Sequence, residues 1–132
     1  MPLMDKNFVF LLEKCSTGNL NGDEKINTSD KVSGCVIATS KGYPYEYKTG
    51  FPIKIGKIDS DDFQIFDSGT SLGKNGELLT DGGRVLSIVC QDNDFDRVFE
   101  KAYKNLSQIN FDGIYFRKDI GHQVRKNFSK EN

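Results

Sequence analysis

Apolar residues change their spacing several times along the chain, and each change marks an expected element. Between residues 5 and 16, Phe8, Leu11, Leu12 and Cys15 recur every three or four positions. Asp5 or Asn7 is available as an N-cap and Gly18 stands just past the end, so a short amphipathic helix is expected. Residues 18–33 are mostly Asn, Gly, Asp, Lys, Ser and Thr, which predicts a solvated connector. Cys35-Val36-Ile37-Ala38-Thr39 is a short, partly β-branched apolar run bounded by Gly34 and by Ser40-Lys41-Gly42, and it predicts a buried strand.

Pro44 and Pro52 limit regular structure around Gly50-Phe51, so a loop feeding an edge strand near residues 53–55 is expected. Phe63 to Phe66 predicts another strand. Asn75-Gly76 is a strong hairpin signal with Leu78-Leu79 on the return strand, and residues 69–75 are expected as the loop entering it. After the Asp81-Gly82-Gly83 turn, Arg84 to Cys90 forms a long, mostly apolar stretch of strand character. From Phe95 the period returns to helical through Val98, Phe99, Ala102, Tyr103, Leu106 and Ile109, with Asn93 or Asp94 as cap. Ile114-Tyr115-Phe116 predicts a last strand after the Asp112-Gly113 turn, and residues 125–132 form a polar tail. Several strands followed by one long helix indicate an α+β fold: a small, mainly antiparallel, half-barrel-like sheet with one packed amphipathic helix, preceded by a short N-terminal helix.

Composition narrows the function classes. The 132 residues are 36% hydrophobic and 28% charged, with ten Phe and no Trp, as in globular proteins with a packed core. No apolar run reaches membrane-spanning length and residues 8–12 are too short for a signal peptide, so a cytoplasmic location and no membrane partner are expected. Eighteen basic against nineteen acidic residues give a net charge of -1, which argues against a nucleic-acid partner because counterion release has little charge to work with. Cys15, Cys35 and Cys90 are odd in number and far apart, so neither a disulfide framework nor a zinc site is indicated.

Several short patterns fail on their chemistry. Gly69-Thr70-Ser71-Leu72-Gly73-Lys74-Asn75 has three residues between its glycines where a phosphate loop needs four, and Asn where a hydroxyl must reach magnesium. Asp92-Asn93-Asp94-Phe95-Asp96 begins like a calcium loop, but Arg97 occupies the position where the bend requires glycine, so helix capping explains it better. His122 is the only histidine, and it is read as a packing residue because triads and two-histidine metal sites would all rest on it. No catalytic or metal-ligating residue is expected in this chain.

The residues with the clearest chemical potential are Gly82-Gly83-Arg84 and Arg117-Lys118-Asp119. Two glycines allow close approach of backbone or a positive φ, and Arg84 at a strand start offers a rigid fork of donors to phosphate or carboxylate. A tight turn with Arg84 paired to a carboxylate is the competing reading, and both stay open. Arg117 and Asp119 share one face of an extended segment, so an internal ion pair is expected, leaving Lys118 as the freer ligand candidate. Tyr43-Pro44 reads first as a rigid turn and second as a ligand contact.

These segments, taken in order, resemble one family. Gly42-Tyr43-Pro44 with Tyr47 and Gly50, Phe66 with Gly69-Thr70, Gly82-Gly83-Arg84-Val85-Leu86, and Phe111-Asp112-Gly113 leading into Arg117-Lys118-Asp119-Ile120-Gly121 are similar to the C-terminal domain of the phosphoribosylamine–glycine ligases, over roughly residues 35–121. Tyr45, Phe116 and Gln123 depart from the family's usual residues. The resemblance implies residues 1–34 as a helix and linker left from a preceding ATP-grasp region, and residues 35–132 as the C-terminal domain. It implies an enzyme that joins glycine to 5-phosphoribosylamine in purine biosynthesis with hydrolysis of ATP to ADP and phosphate. ATP and magnesium or manganese are then expected in lobes outside this chain, which is expected to hold no cofactor and to be inactive alone. Gly82, Gly83, Arg84 and Lys118 become candidates for substrate binding or cleft closure, and Tyr43, Pro44, Arg117 and Asp119 for structure or contact with the remaining lobes. The alternative is a free-standing ligand-binding or interaction module that reuses the fold.

Overall fold

Strand β1 (Val32–Ser40) lies at the centre of the molecule, antiparallel to β6 (Arg84–Asp92), with Gly34 opposite Cys90, Val36 opposite Ile88 and Ala38 opposite Leu86. The structure is a computed structural model, and it describes residues 2–4, 8–22, 27–58 and 63–125. β3 (Phe63–Asp67) extends the sheet beyond β6, and β8 (Ile114–Tyr115) pairs with the far side of β1. The order is therefore β3-β6-β1-β8, antiparallel throughout. Two smaller ribbons flank it: β2 (Lys54–Ile55) with β7 (Ile109–Asn110), and the hairpin of β4 (Thr70–Leu72) with β5 (Leu78–Thr80). Gly76, at φ +82, makes the hairpin turn that Asn75-Gly76 predicts.

Helix α2 (Phe95–Leu106) covers one face of this sheet. Its apolar stripe is Val98, Phe99, Ala102 and Leu106, all buried, and it packs on Val36, Ala38, Leu86, Ile88 and Cys90. The Asp94 carboxylate accepts the Arg97 N–H at 2.9 Å and starts the helix, satisfying one of the amides that the first turn leaves without a partner. Ile109 keeps the buried position its spacing suggests, but as strand β7 opposite Ile55. The helix stops at Leu106 because the chain turns to pair with β2.

Gly34 lets α2 lie this close. A Cβ built there would stand 2.6 Å from Val98 Cγ1 and 3.0 Å from Phe99 Cζ. The segment after β8 then wraps the other side of α2: Tyr103 Oη donates to the Arg117 carbonyl at 2.9 Å and accepts the Ile120 N–H at 3.1 Å. Arg125 Nε lies 3.6 Å from Asp96 Oδ1.

Some local expectations change. Residues 70–72 form β4 instead of loop, because Thr70 and Leu72 pair with Thr80 and Leu78. β1 starts three residues earlier than its apolar run, since Val32 and Ser33 also find partners in Asp92 and Gln91. Helix α1 (Phe8–Ser16) falls within the expected range and has no buried residue, with Val9, Phe10 and Leu12 exposed. Residues 5–7 and 126–132, where the helix start and most of the polar tail were expected, lie outside the described residues.

Two outcomes test this packing. Gly34→Ala should lower the unfolding free energy by about 1–3 kcal/mol in chemical denaturation, from overpacking against Val98 and Phe99. Gly22→Ala, where an added Cβ meets nothing within 4 Å, should stay within about 0.5 kcal/mol of the parent. The Asp92 carboxyl is held below its ordinary value of 3.8 by the hydrogen bond from Lys101, at 2.7 Å, and by the Asn93 N–H. A depressed folded-state value contributes stability above the unfolded value, which is lost as pH falls through the folded one. Asp92→Asn should therefore cost about 1–3 kcal/mol at neutral pH, and the gap to the parent should close as the pH is lowered below 3.8 in denaturation curves.

Candidate functional site

The second face of the sheet carries no described helix. Cys35, Ile37 and Thr39 of β1 alternate with the residues that meet α2, so they point to the opposite side. Thr39 is paired with Arg84 across an irregularity between Ala38 and Thr39, and with Tyr115 of β8 on its other side. A cavity of about 360 Å³ opens over this floor. Besides the floor residues, its lining is Tyr43, Arg84, Tyr115, Phe116, Arg117 and Ile120.

Gly82 and Gly83 set the position of Arg84 from behind. Neither takes a positive φ, and their lack of a side chain serves close approach within the chain. A Cβ on Gly82 would come within 2.9 Å of Gly69 Cα, and one on Gly83 would enter the Tyr43 ring. The Gly69 N–H donates to the Arg84 carbonyl at 2.8 Å and the Asp81 N–H to the Gly69 carbonyl at 2.7 Å, which locks the two loops together. Ser40 then donates twice to the pair: its N–H to the Gly83 carbonyl and its Oγ to the Gly82 carbonyl, each at 2.8 Å. Tyr43 sits in the tight turn after β1, where its N–H donates to the Ser40 carbonyl, and its ring lies 6.2 Å from that of Tyr47. Pro44 follows it through a cis peptide bond.

The electrostatics of the cavity are one-sided. Arg84 is exposed and makes no ion pair or hydrogen bond with the described side chains. Arg117 grips Asp119 through two bonds, Nε to Oδ1 at 2.9 Å and Nη2 to Oδ2 at 2.6 Å, which leaves Nη1 of the fork without a bond to Asp119. The hydrogen bonds from Arg117 hold the Asp119 carboxyl below the usual carboxylate range, and Asp119 in turn raises Arg117. No carboxylate among the described residues lines the cavity. Burial pushes the Cys35 thiol up, so the floor presents a neutral sulfur at neutral pH.

The remaining candidate lies apart. Lys118 is exposed and does not line this cavity or the shallower one beside it around Asp119 and His122. A second cavity of about 440 Å³ lies on the other side of the Tyr43 turn, with Lys41 and Lys48 set against Glu46 and Asp112. Its charges balance, so it has no comparable preference for either sign. Tyr115, Phe116 and the floor of Cys35, Ile37 and Thr39 do not stand out in the sequence as site residues. Their alternation with the core positions of β1 is the available signal, and it becomes informative once β1 is known to be covered on one face alone.

No group of three or more His, Cys, Asp or Glu among the described residues is arranged to hold a metal ion. Asp92, Asp94 and Asp96 are engaged with Lys101, the first turn of α2 and Arg125 respectively. The described residues therefore do not fit magnesium or manganese. No described helix is long and apolar enough to cross a membrane.

Comparison with known proteins agrees with this architecture. Residues 33–123 match the family model described as phosphoribosylglycinamide synthetase, C domain. A phosphoribosylamine–glycine ligase of Caldanaerobacter subterraneus is 41% identical over 120 residues, covering 91% of this chain and 28% of that protein. A trifunctional purine biosynthetic protein, adenosine-3, of Gallus gallus is 31% identical over 94% of this chain and 12% of its own length. The crystal structure of a phosphoribosylamine–glycine ligase from Thermotoga maritima superimposes with a TM-score of 0.72 at 25% identity, over 86% of this chain and 27% of that one. The chain thus spans little more than a quarter of the length of the single-function ligases it matches. An antiparallel sheet with one helical face, the glycine-backed Arg84 and the family match over 33–123 lead to one assignment: this chain belongs to the phosphoribosylglycinamide synthetase C-domain family.

Proposed function

We propose that this chain is the C-terminal part of a phosphoribosylamine–glycine ligase, working with the lobes that make up the rest of its relatives' length. The observation that carries this reading is the 41% identity to such a ligase across 91% of the chain. The reaction joins the glycine carboxylate to the amine of 5-phosphoribosylamine. ATP phosphorylates the carboxylate and leaves as ADP, the amine attacks the acyl carbon and loses a proton, and phosphate departs. Nucleotide and metal belong, in this reading, to lobes outside this chain.

The chain's own contribution is positional. Its anion-favouring cavity sits on an uncovered sheet face, where a second lobe can close over it and exclude water. Arg84, held from behind by Gly82 and Gly83, supplies charge at that face, and Tyr43 and Pro44 shape the adjoining turn. Arg117 with Asp119 stiffens the rim, and Lys118 offers its ammonium to a facing lobe. The domain division in this reading places residues 1–34 with the preceding lobe and 35–132 in the C-terminal domain.

A chimaera tests it: the Caldanaerobacter ligase with its matching C-terminal segment replaced by this chain. ADP release that requires both glycine and phosphoribosylamine is expected, falling by about 10–100-fold in kcat/KM on Arg84→Gln, the scale for loss of one charged contact to a reacting substrate. A folded, soluble chimaera without glycine-dependent ADP release contradicts the reading and favours a separate binding module.

A further inference from the structure

Tyr103 directs its hydroxyl away from its own helix. It stands one turn after Phe99 on α2, and its ring lies beside that of Phe116, with centroids 6.2 Å apart. A phenylalanine would pack there as well. The difference is the hydroxyl, which donates to the Arg117 carbonyl at 2.9 Å and accepts the Ile120 N–H at 3.1 Å. Both are ordinary hydrogen-bond lengths, and both go to the span 117–120. Burial pushes the phenol above its ordinary value of 10.0, so it remains a donor at neutral pH.

That span carries two cations. Lys118 and Asp119 lie between the anchored ends, and Arg117 closes the interior through its two bonds to Asp119. The Asp119 carbonyl then accepts the His122 N–H at 3.2 Å. Gly121 takes φ +79, and a Cβ there would enter the Phe99 ring, so the chain is pressed against the same helix just beyond the span. Lys118 is exposed and makes no ion pair or hydrogen bond with the described residues. Phe116, Arg117 and Ile120 are among the residues that line the cavity on the bare face. The helix on the covered face thus fixes, through one oxygen, the backbone of a segment that borders the other face.

We infer that Tyr103 is a positioning residue: by holding the Arg117 carbonyl and the Ile120 N–H, it keeps Arg117 and Lys118 on a fixed backbone for the charged reactants. The role in turnover rests on the ligase reading above, whereas the pinning rests on the two bonds alone. Cations carried on a fixed backbone need not be ordered when the reactants arrive, which is the gain that preorganisation gives to charged contacts. Without the hydroxyl, the carbonyl and the N–H lose their partner and the span gains freedom. The Arg117–Asp119 pair does not replace it, because that pair joins two side chains of the same segment and ties neither to the core.

The test is Tyr103→Phe, which keeps the ring, read in two ways. In the full 132-residue chain, hydrogen exchange followed by NMR should find the Ile120 N–H of the parent protected at least about tenfold over the Lys118 N–H. Tyr103→Phe should abolish that difference and speed exchange of the Arg117 Nε–H, while the chemical shifts of Val36 and Ile88 in the core stay in place. In the chimaera, Tyr103→Phe and Arg117→Gln should each lower kcat/KM by at least about tenfold, and the two together by no more than the larger single loss, as for groups that act through one another. Gly34→Ala, which strains α2 elsewhere, should leave kcat/KM of the folded chimaera within about twofold of the parent. The inference is overturned if Ile120 and Lys118 exchange alike in the parent, if Tyr103→Phe leaves exchange unchanged, if the losses add, or if Gly34→Ala loses as much. An active chimaera in which Tyr103→Phe is as fast as the parent would keep the ligase reading and reject this one. An inactive parent chimaera with Tyr103-dependent exchange would reject the ligase reading and retain the pinning.

Discussion

A single helix covers a single face of the four-stranded sheet, and the rest of the structure follows from that asymmetry. α2 can approach because Gly34 leaves room for Val98 and Phe99, and because every second residue of β1 and β6 is small or apolar on that side. Buried apolar area of this kind is the main favourable term in a chain of 132 residues. The same alternation sends Cys35, Ile37 and Thr39 to the other face, where only short strands and loops border them. The cavity lined by Arg84 and Arg117 consequently lies on the side that the core does not use.

The periodic elements were legible in the sequence because their pattern and their partners agree. α2 combines a clean apolar stripe with an Asp94 cap, and β6 is a long apolar run that pairs on both sides. The Arg117–Asp119 pair was equally readable, since alternation along an extended segment brings positions two apart together. β4 and β7 were not legible as strands. Residues 70–72 and 109–110 are too short to show a strand period of their own, and their pairing with Leu78–Thr80 and Lys54–Ile55 is what identifies them as strands. Ile109 illustrates the limit well: its spacing continues the helix, and only the pairing with Ile55 shows that the chain has already turned.

The candidate site was half legible. Gly82-Gly83-Arg84 stands out in any reading, but which of its two uses applies could not be decided without the neighbours. The structure shows that both glycines serve internal packing, against Gly69 and Tyr43, and that Arg84 nonetheless has no carboxylate of its own among the described residues. The tight turn of the competing reading is present, whereas its pairing of Arg84 with a carboxylate is not found among the described residues. The place of Tyr115 and Phe116 in the lining was hidden because those residues look like any short strand until the topology places β8 next to β1. Pro44, similarly, marked a turn without revealing that Tyr43 is packed against Gly83.

Thiol accessibility tests the one-sided sheet directly, because the three cysteines sample three environments: Cys15 on the exposed α1, Cys35 on the bare face and Cys90 beneath α2. Under native conditions at mildly alkaline pH, which offsets the raised Cys35 value, alkylation followed by mass spectrometry should label Cys15 and Cys35 and spare Cys90 until the protein unfolds. Protection of Cys35 equal to that of Cys90 in the monomeric chain would mean that both faces are covered, and would contradict the account.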